Sequence, residues 1–125
     1  MNNNFIISKP VSENDFFDYF DLRWRILRKP LNRHKGSEKD NLEKKCHHIC
    51  IKDENLKIVA VGRIHFIAED KKEAQIRFMA VEPKFQKQGL GSKILDELEL
   101  IALNNNTDSI FLEARDNAIK FYEKH

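Results

Sequence analysis

Apolar positions recur along this chain at two periods, and the changes of period mark out its elements. Residues 5–8 are a short apolar run closed by Pro10, which predicts a strand. Ser12, with Asp15 three residues on, reads as the capping box of a helix. Phe16, Phe20, Trp24 and Leu27 then recur at +4, +4 and +3, a helical stripe expected to face the core and to run to Lys29, where Pro30 stops it. Residues 31–40 show no period and hold Asn32, Gly36 and Ser37, so they predict a loop, with a turn of helix towards Leu42 and Glu43. Strand patterns follow at 46–52 and 58–67, where Val59, Val61, Ile64 and Phe66 supply β-branched and aromatic content. A third strand spans 74–81, in which Ala74, Ile76, Phe78 and Ala80 alternate with Gln75, Arg77, Met79 and Val81. Charged turns at 53–55 and 69–73 join these three strands. After a loop at 82–88, Leu90, Ile94, Leu98, Ile101 and Ala102 trace a second helix, ending near Asn104–Asn106. Ile110, Leu112 and Ala114 predict a further strand, and residues 117–124 a last helix with Ala118 and Tyr122 on one face. The order, strand, helix, three strands, helix, strand, helix, is that of one α/β domain over residues 1–125.

Composition narrows the function classes. With 41% hydrophobic residues and nine Phe in 125, the chain can build a core despite 34% charged residues. A membrane span needs about 20 apolar residues, and the longest uninterrupted apolar run is only 58–62. A net charge of +2 is too small for a dedicated nucleic-acid domain. The first residues carry neither a basic region nor an apolar one, so a cytoplasmic protein is expected. Cys46 and Cys50 on one strand would lie about 13 Å apart, too far for a disulfide or for a shared metal ion, and no metal is expected. Arg25, Arg28, Lys29, Arg33, Lys35 and Lys39 read as a solvated basic face or the rim of a site.

The stretch with chemical content is 79–93: a strand end, a basic loop, two glycines and a helix start. Free N–H groups and the positive dipole end at a helix start make an anion site, and Gly89 and Gly91 let a phosphate come close to the backbone. Lys84, Lys87 and Lys93 add positive charge. A plain glycine turn with solvated lysines fits the spacing equally well. A P-loop is excluded, since Ser92 precedes Lys93 and no glycine stands five residues before Gly91. A dinucleotide fingerprint is excluded by Ile94 in its third glycine position.

What remains, Gln86-x-x-Gly89-x-Gly91 after a strand ending Met79-Ala80-Val81, resembles the pyrophosphate-binding motif of the GNAT superfamily of N-acetyltransferases. The stretch from Leu112 through Asn117 and Ala118 to Phe121-Tyr122 is similar to that superfamily's second cofactor motif. Leu22 to Pro30, Gly36 to Asp40 and Ala74 to Val81 also resemble one bacterial subgroup. The resemblance implies a GNAT-like acyl-CoA N-acyltransferase fold, a mixed, mostly antiparallel sheet flanked by helices. It implies acetyl-CoA as co-substrate and a primary amine, on a small molecule or a protein, as acceptor. Gln86, Lys87, Gln88, Gly89, Leu90, Gly91 and Ser92 would offer amides to the pyrophosphate, and Met79, Ala80 and Val81 would line the pantetheine arm, with an N–H near Met79 polarising the thioester carbonyl. Tyr122 would protonate the departing thiolate.

Two departures from the family pattern carry expectations of their own. Many members place a Glu where this chain has Gln75, and the acidic candidates for a base, Glu73 and Glu43, read as solvated turn charges. Members also continue past the last helix into two more strands, so residues 108–114 are expected to form an open edge through which a homodimer would assemble. A non-catalytic acyl-CoA-binding module is therefore the alternative to an enzyme.

Overall fold

The computed structural model describes residues 4–114 and 117–123, with 113, 114 and 117–123 described by main chain alone. The elements are β1 (Ile6–Ser8), α1 (Glu13–Leu27), β2 (His47–Lys52), β3 (Ile58–Phe66), β4 (Glu73–Val81), α2 (Leu90–Asn104), β5 (Ser109–Ala114) and β6 (Asn117–Glu123). Single 3-10 turns stand at Lys29–Leu31, Glu43–Lys45 and Pro83–Phe85. The strands form one six-stranded sheet in sequence order. Every neighbouring pair is antiparallel except β4–β5, which is parallel because α2 carries the chain back between them. A mixed, mostly antiparallel sheet flanked by helices is the fold expected from the sequence.

The sheet separates two apolar clusters. On one face Leu90, Ile94, Leu98 and Ala102 of α2 pack on Ile49, Ile51, Ala60, Ile64, Ala74, Ile76 and Ile110. On the other, Tyr19 and Leu22 of α1 pack on Cys50, Ile58, Val61 and Ala80. α1 begins as predicted: Ser12 Oγ accepts from Asp15 N (3.0 Å) and Asp15 Oδ2 accepts from Ser12 N (3.4 Å). Its buried face is not the predicted one. Tyr19, Leu22 and Arg23 are buried, whereas Phe16, Phe20 and Trp24 are only half-buried. The aromatic stripe lies beside the core face and meets the segment that follows the helix: Phe16 and Phe20 flank the His48 ring, and Trp24 Nε1 donates to the Arg33 carbonyl (3.2 Å).

The C-terminal segment differs more. Residues 117–123 form β6, a strand antiparallel to β5, in place of the predicted helix. In a segment this short, spacing cannot separate the two states. Ile119, Phe121 and Tyr122 favour a strand, and the ladder offered by β5 decides it. β5 is consequently paired on both sides rather than open, and the outer strands of the sheet are β1 and β6.

Candidate functional site

β4 is irregular against β3. Its register with β3 runs from Ala80 opposite Val61 to Arg77 opposite Arg63, so Phe78 and Met79 together face the single residue Gly62. This is a β-bulge, and Phe78 takes the left-handed conformation, φ 56°, that releases the extra residue. On the other side, the parallel ladder to β5 ends at Ile76 opposite Leu112, although β4 continues to Val81 and β5 to Ala114. Glu82 N donates to the Val59 carbonyl (2.8 Å). Alternation along the strand therefore turns the N–H and C=O groups of Val81 away from β3, towards the side where β5 has left the ladder, and the Met79 carbonyl, opposite the Ala80 N–H across a trans peptide, with them. Gln86 Nε2 donates to the Val81 carbonyl from there (3.2 Å), in keeping with that direction.

The chain then turns through Gln86–Gly89 into α2. Phe85 anchors the loop, its ring edge-on to Phe5 at 5.4 Å. Lys87 (φ 69°) and Gly89 (φ 79°) are both left-handed. Gly89 is the N-cap of α2 and, having no side chain, makes no cap hydrogen bond to the first-turn amides. A Cβ on Gly89 would meet nothing within 4 Å, and one on Gly91 only Val81 Cγ2 at 3.9 Å. Leu90 is buried and anchors the helix start, while Gln86, Lys87, Gln88, Gly89 and Ser92 are exposed around it. The predicted residues 79–81 and 86–92 thus come together at one end of the sheet as a strand edge that β5 does not pair, leading to the helix start at Gly89. Backbone donors so arranged fit an extended amide-bearing chain ending in a phosphate. Tyr122 stands opposite Ile110 in the β5–β6 register, and its side chain lies outside the described residues.

Beneath the bulge, on the α1 face, is an ionic cluster that sequence reasoning missed. Arg23 and Arg63 are fully buried. Arg63 grips Asp40 through Nη1–Oδ1 (2.8 Å) and Nη2–Oδ2 (2.6 Å), and also donates to Glu43 Oε2 (2.6 Å). Arg23 Nη1 donates to the same Glu43 oxygen (2.9 Å) and to the Glu38 carbonyl (3.0 Å), and Arg77 Nη1 to Asp40 Oδ2 (2.9 Å). The hydrogen bond from Arg63 holds the Asp40 carboxyl well below the usual range. Glu43, expected to be a solvated turn charge, is mostly buried and engaged by two arginines, because the loop before β2 folds back over α1. Glu73 is exposed, as expected. Gln75 faces His65 in the β3–β4 register. His48 bonds the Tyr19 hydroxyl at Nδ1 (2.9 Å) and the Glu43 carbonyl at Nε2 (2.8 Å), and an open groove of about 580 Å³ beside it is lined by Phe16, Phe20, Asp40 and Cys46. Of the predicted basic face, Arg25 is instead tied to Asp21 and Glu82.

Cys46 and Cys50 are free thiols; burial pushes Cys46 up to about 11, and its Sγ donates to the Leu42 carbonyl (3.0 Å). Among the described residues no group of three or more His, Cys, Asp or Glu could hold a metal ion, and no helix is long and apolar enough to cross a membrane.

The model of the acetyltransferase (GNAT) family matches residues 14–125. The fold is similar to that of a GNAT-family acetyltransferase from Staphylococcus aureus Mu50, at TM-score 0.76 and 16% identity over 90% of this chain and 75% of that one. An aminoglycoside 6'-N-acetyltransferase solved with coenzyme A gives TM-score 0.68 and 18% identity, over 86% of this chain and 60% of that one. A GNAT-family acetyltransferase from Elizabethkingia anophelis with acetyl-CoA bound gives 0.64 and 19%, over 87% and 64%. The chain thus spans less than two thirds of the length of the last two.

Proposed function

The chain belongs to the GNAT acetyltransferase family, and from that premise we propose that it transfers an acetyl group from acetyl-CoA to a primary amine by direct attack, with both substrates bound together. One observation carries this reading: the β4–β5 ladder stops at Ile76–Leu112 while β4 runs on, an edge that β5 does not pair and that leads to the start of α2, where the N-cap Gly89 has no side chain. Acetyl-CoA supplies an acyl group activated as a thioester. Met79 and Val81 hold its pantetheine arm by main-chain hydrogen bonds, and residues 86–92 hold its pyrophosphate with backbone amides reinforced by the α2 dipole. The Met79 N–H, fixed by the strand, stabilises the negative charge that develops on the carbonyl oxygen. Tyr122 returns a proton to the leaving sulfur. Gln75 carries no basic atom, so the amine sheds its proton to water. A cytoplasmic setting is part of the same proposal. A homodimer, if formed through sheet pairing, uses β1 or β6, since β5 is already covered.

Gln75 favours a second reading, a module that binds acyl-CoA without turnover. Calorimetric titration with acetyl-CoA, beside a CoA-release screen over an amine panel, separates the two. Binding with turnover supports transfer, binding without it supports the module, and no binding overturns both. Gly89→Asp should abolish binding by placing a negative charge at the pyrophosphate cradle, and unchanged affinity would displace the site.

A further inference from the structure

Phe78 stands where β4 departs from strand geometry. A bulky aromatic residue rarely adopts a φ of 56°, so its surroundings must enforce it. Three guanidinium carbons lie over its ring: Arg77 at 4.4 Å, Arg23 at 4.5 Å and Arg63 at 4.8 Å. They come from β4, α1 and β3, so the ring is held from three separate elements. Three cations so close would repel one another, and Asp40 and Glu43 compensate by bridging them, Asp40 between Arg63 and Arg77 and Glu43 between Arg23 and Arg63. Burying such a cluster is unfavourable without a return in specificity. The acyl-transfer chemistry derived above uses none of these side chains. Their common centre is the ring of the residue immediately before Met79.

We propose that the Arg23–Arg63–Arg77 cluster, locked by Asp40 and Glu43, is a clamp on the Phe78 ring that holds the left-handed turn of the main chain and so aims the Met79 N–H into the gap between β4 and β5. Phe78 and Arg77 are then positioning residues for acetyl transfer, an assignment that rests on the acetyltransferase reading. The face of the aromatic ring attracts each guanidinium, and the planar groups suit a stacked contact where ammonium would not.

Phe78→Gly and Phe78→Ala both remove the ring and differ in their tolerance of the left-handed turn, so they report the turn, and Arg77→Met beside them reports the clamp. Glycine adopts positive φ freely, whereas alanine keeps the Cβ that disfavours it. Phe78→Ala should lower kcat about tenfold or more, with KM for acetyl-CoA changed by less, since a misaimed donor weakens transition-state stabilisation. Phe78→Gly, although it removes more of the residue, should lower kcat by less than Phe78→Ala does, because glycine accepts the left-handed turn. Arg77→Met should lower kcat in the parent and have no further effect in the Phe78→Gly background. A residue that merely fills space gives the reverse order, with glycine no better than alanine in folded protein, and that result overturns the clamp. If the parent neither binds nor turns over acetyl-CoA, the acetyltransferase reading fails by itself. Thermal melting still decides the clamp: Arg77→Met should lower the melting temperature of the parent by more than that of Phe78→Gly, and equal losses in the two backgrounds reject it.

Discussion

Arg25 on α1 and Glu82 at the end of β4 form a two-pronged ion pair, Nη1 to Oε1 and Nη2 to Oε2, both 2.9 Å. The same arginine holds Asp21 one helical turn earlier (2.8 Å), so the guanidinium is fixed from both sides. The hydrogen bonds from Arg25 keep the Glu82 carboxyl below its ordinary range. This pair ties the helix on one face of the sheet to the loop that leads to the cradle at Gln86–Gly89. Arg25→Met should destabilise the fold by about 0.5–1 kcal/mol, because the pair is partly solvated, and should weaken acetyl-CoA binding in calorimetry by loosening that loop. Affinity identical to the parent would confine the pair to stability alone.

Gly62 on β3 lies close against α2. A Cβ there would stand 2.5 Å from Ile94 Cγ2 and 3.2 Å from Leu98 Cδ1. Gly62→Ala should therefore cost about 1–3 kcal/mol by overpacking, measured as a lower urea midpoint. In the Gly62→Ala, Ile94→Ala double variant the loss should be smaller than the sum of the single losses, since the clash is gone.

Tyr122→Phe should lower kcat more than it raises KM for acetyl-CoA. A donor to the leaving sulfur acts chiefly in the transition state, and general-acid help is worth about 10²–10⁴-fold, less when the leaving group is a thiolate. Parent-like turnover across the pH range would remove Tyr122 from the chemistry.

Asp40 makes stability sensitive to acid. Its folded carboxyl titrates below the ordinary value of 3.8, so as pH falls the unfolded chain takes up the proton first. The stability it contributes is present in full above the unfolded value and is lost as pH drops through the lower, folded one. Asp40→Asn should melt lower than the parent near neutrality and show a flatter decline between about pH 5 and 2. Parallel acid profiles would refute this assignment.

Much of the architecture is legible in the residues, for reasons that differ by element. β2 to β4 announce themselves through β-branched runs between charged turns, and α2 through a stripe whose members Leu90, Ile94, Leu98 and Ala102 are the ones buried. The turn into α2 is legible because Gly89 and Gly91 act on the backbone rather than through side chains. α1 misleads because its aromatic stripe competes with Tyr19, Leu22 and Arg23 one step around the helix, and an arginine gives no local sign that it will be buried. Its carboxylate partner Glu43 is 20 residues away, and Arg63 and Asp40 are 23 apart, so only tertiary structure brings them together. The segment 117–123 is decided by the free ladder of β5, a long-range effect that no short window contains.

The single parallel pair in the sheet has a kinetic consequence. β2 to β4 form a meander joined by short turns, whereas β1 meets β2 only across α1 and β5 can meet β4 only after the whole of α2 has been laid down between them. Non-local parallel pairing is slow to form, because loop closure precedes any reward from contacts. The walls of the β4–β5 gap therefore belong to two cooperative units: one early, built on the meander, and one late, built on the β5–β6 hairpin. A molecule lying in that gap would bridge the two units like a staple, slowing hydrogen exchange at 109–112 to the rate of the central strands.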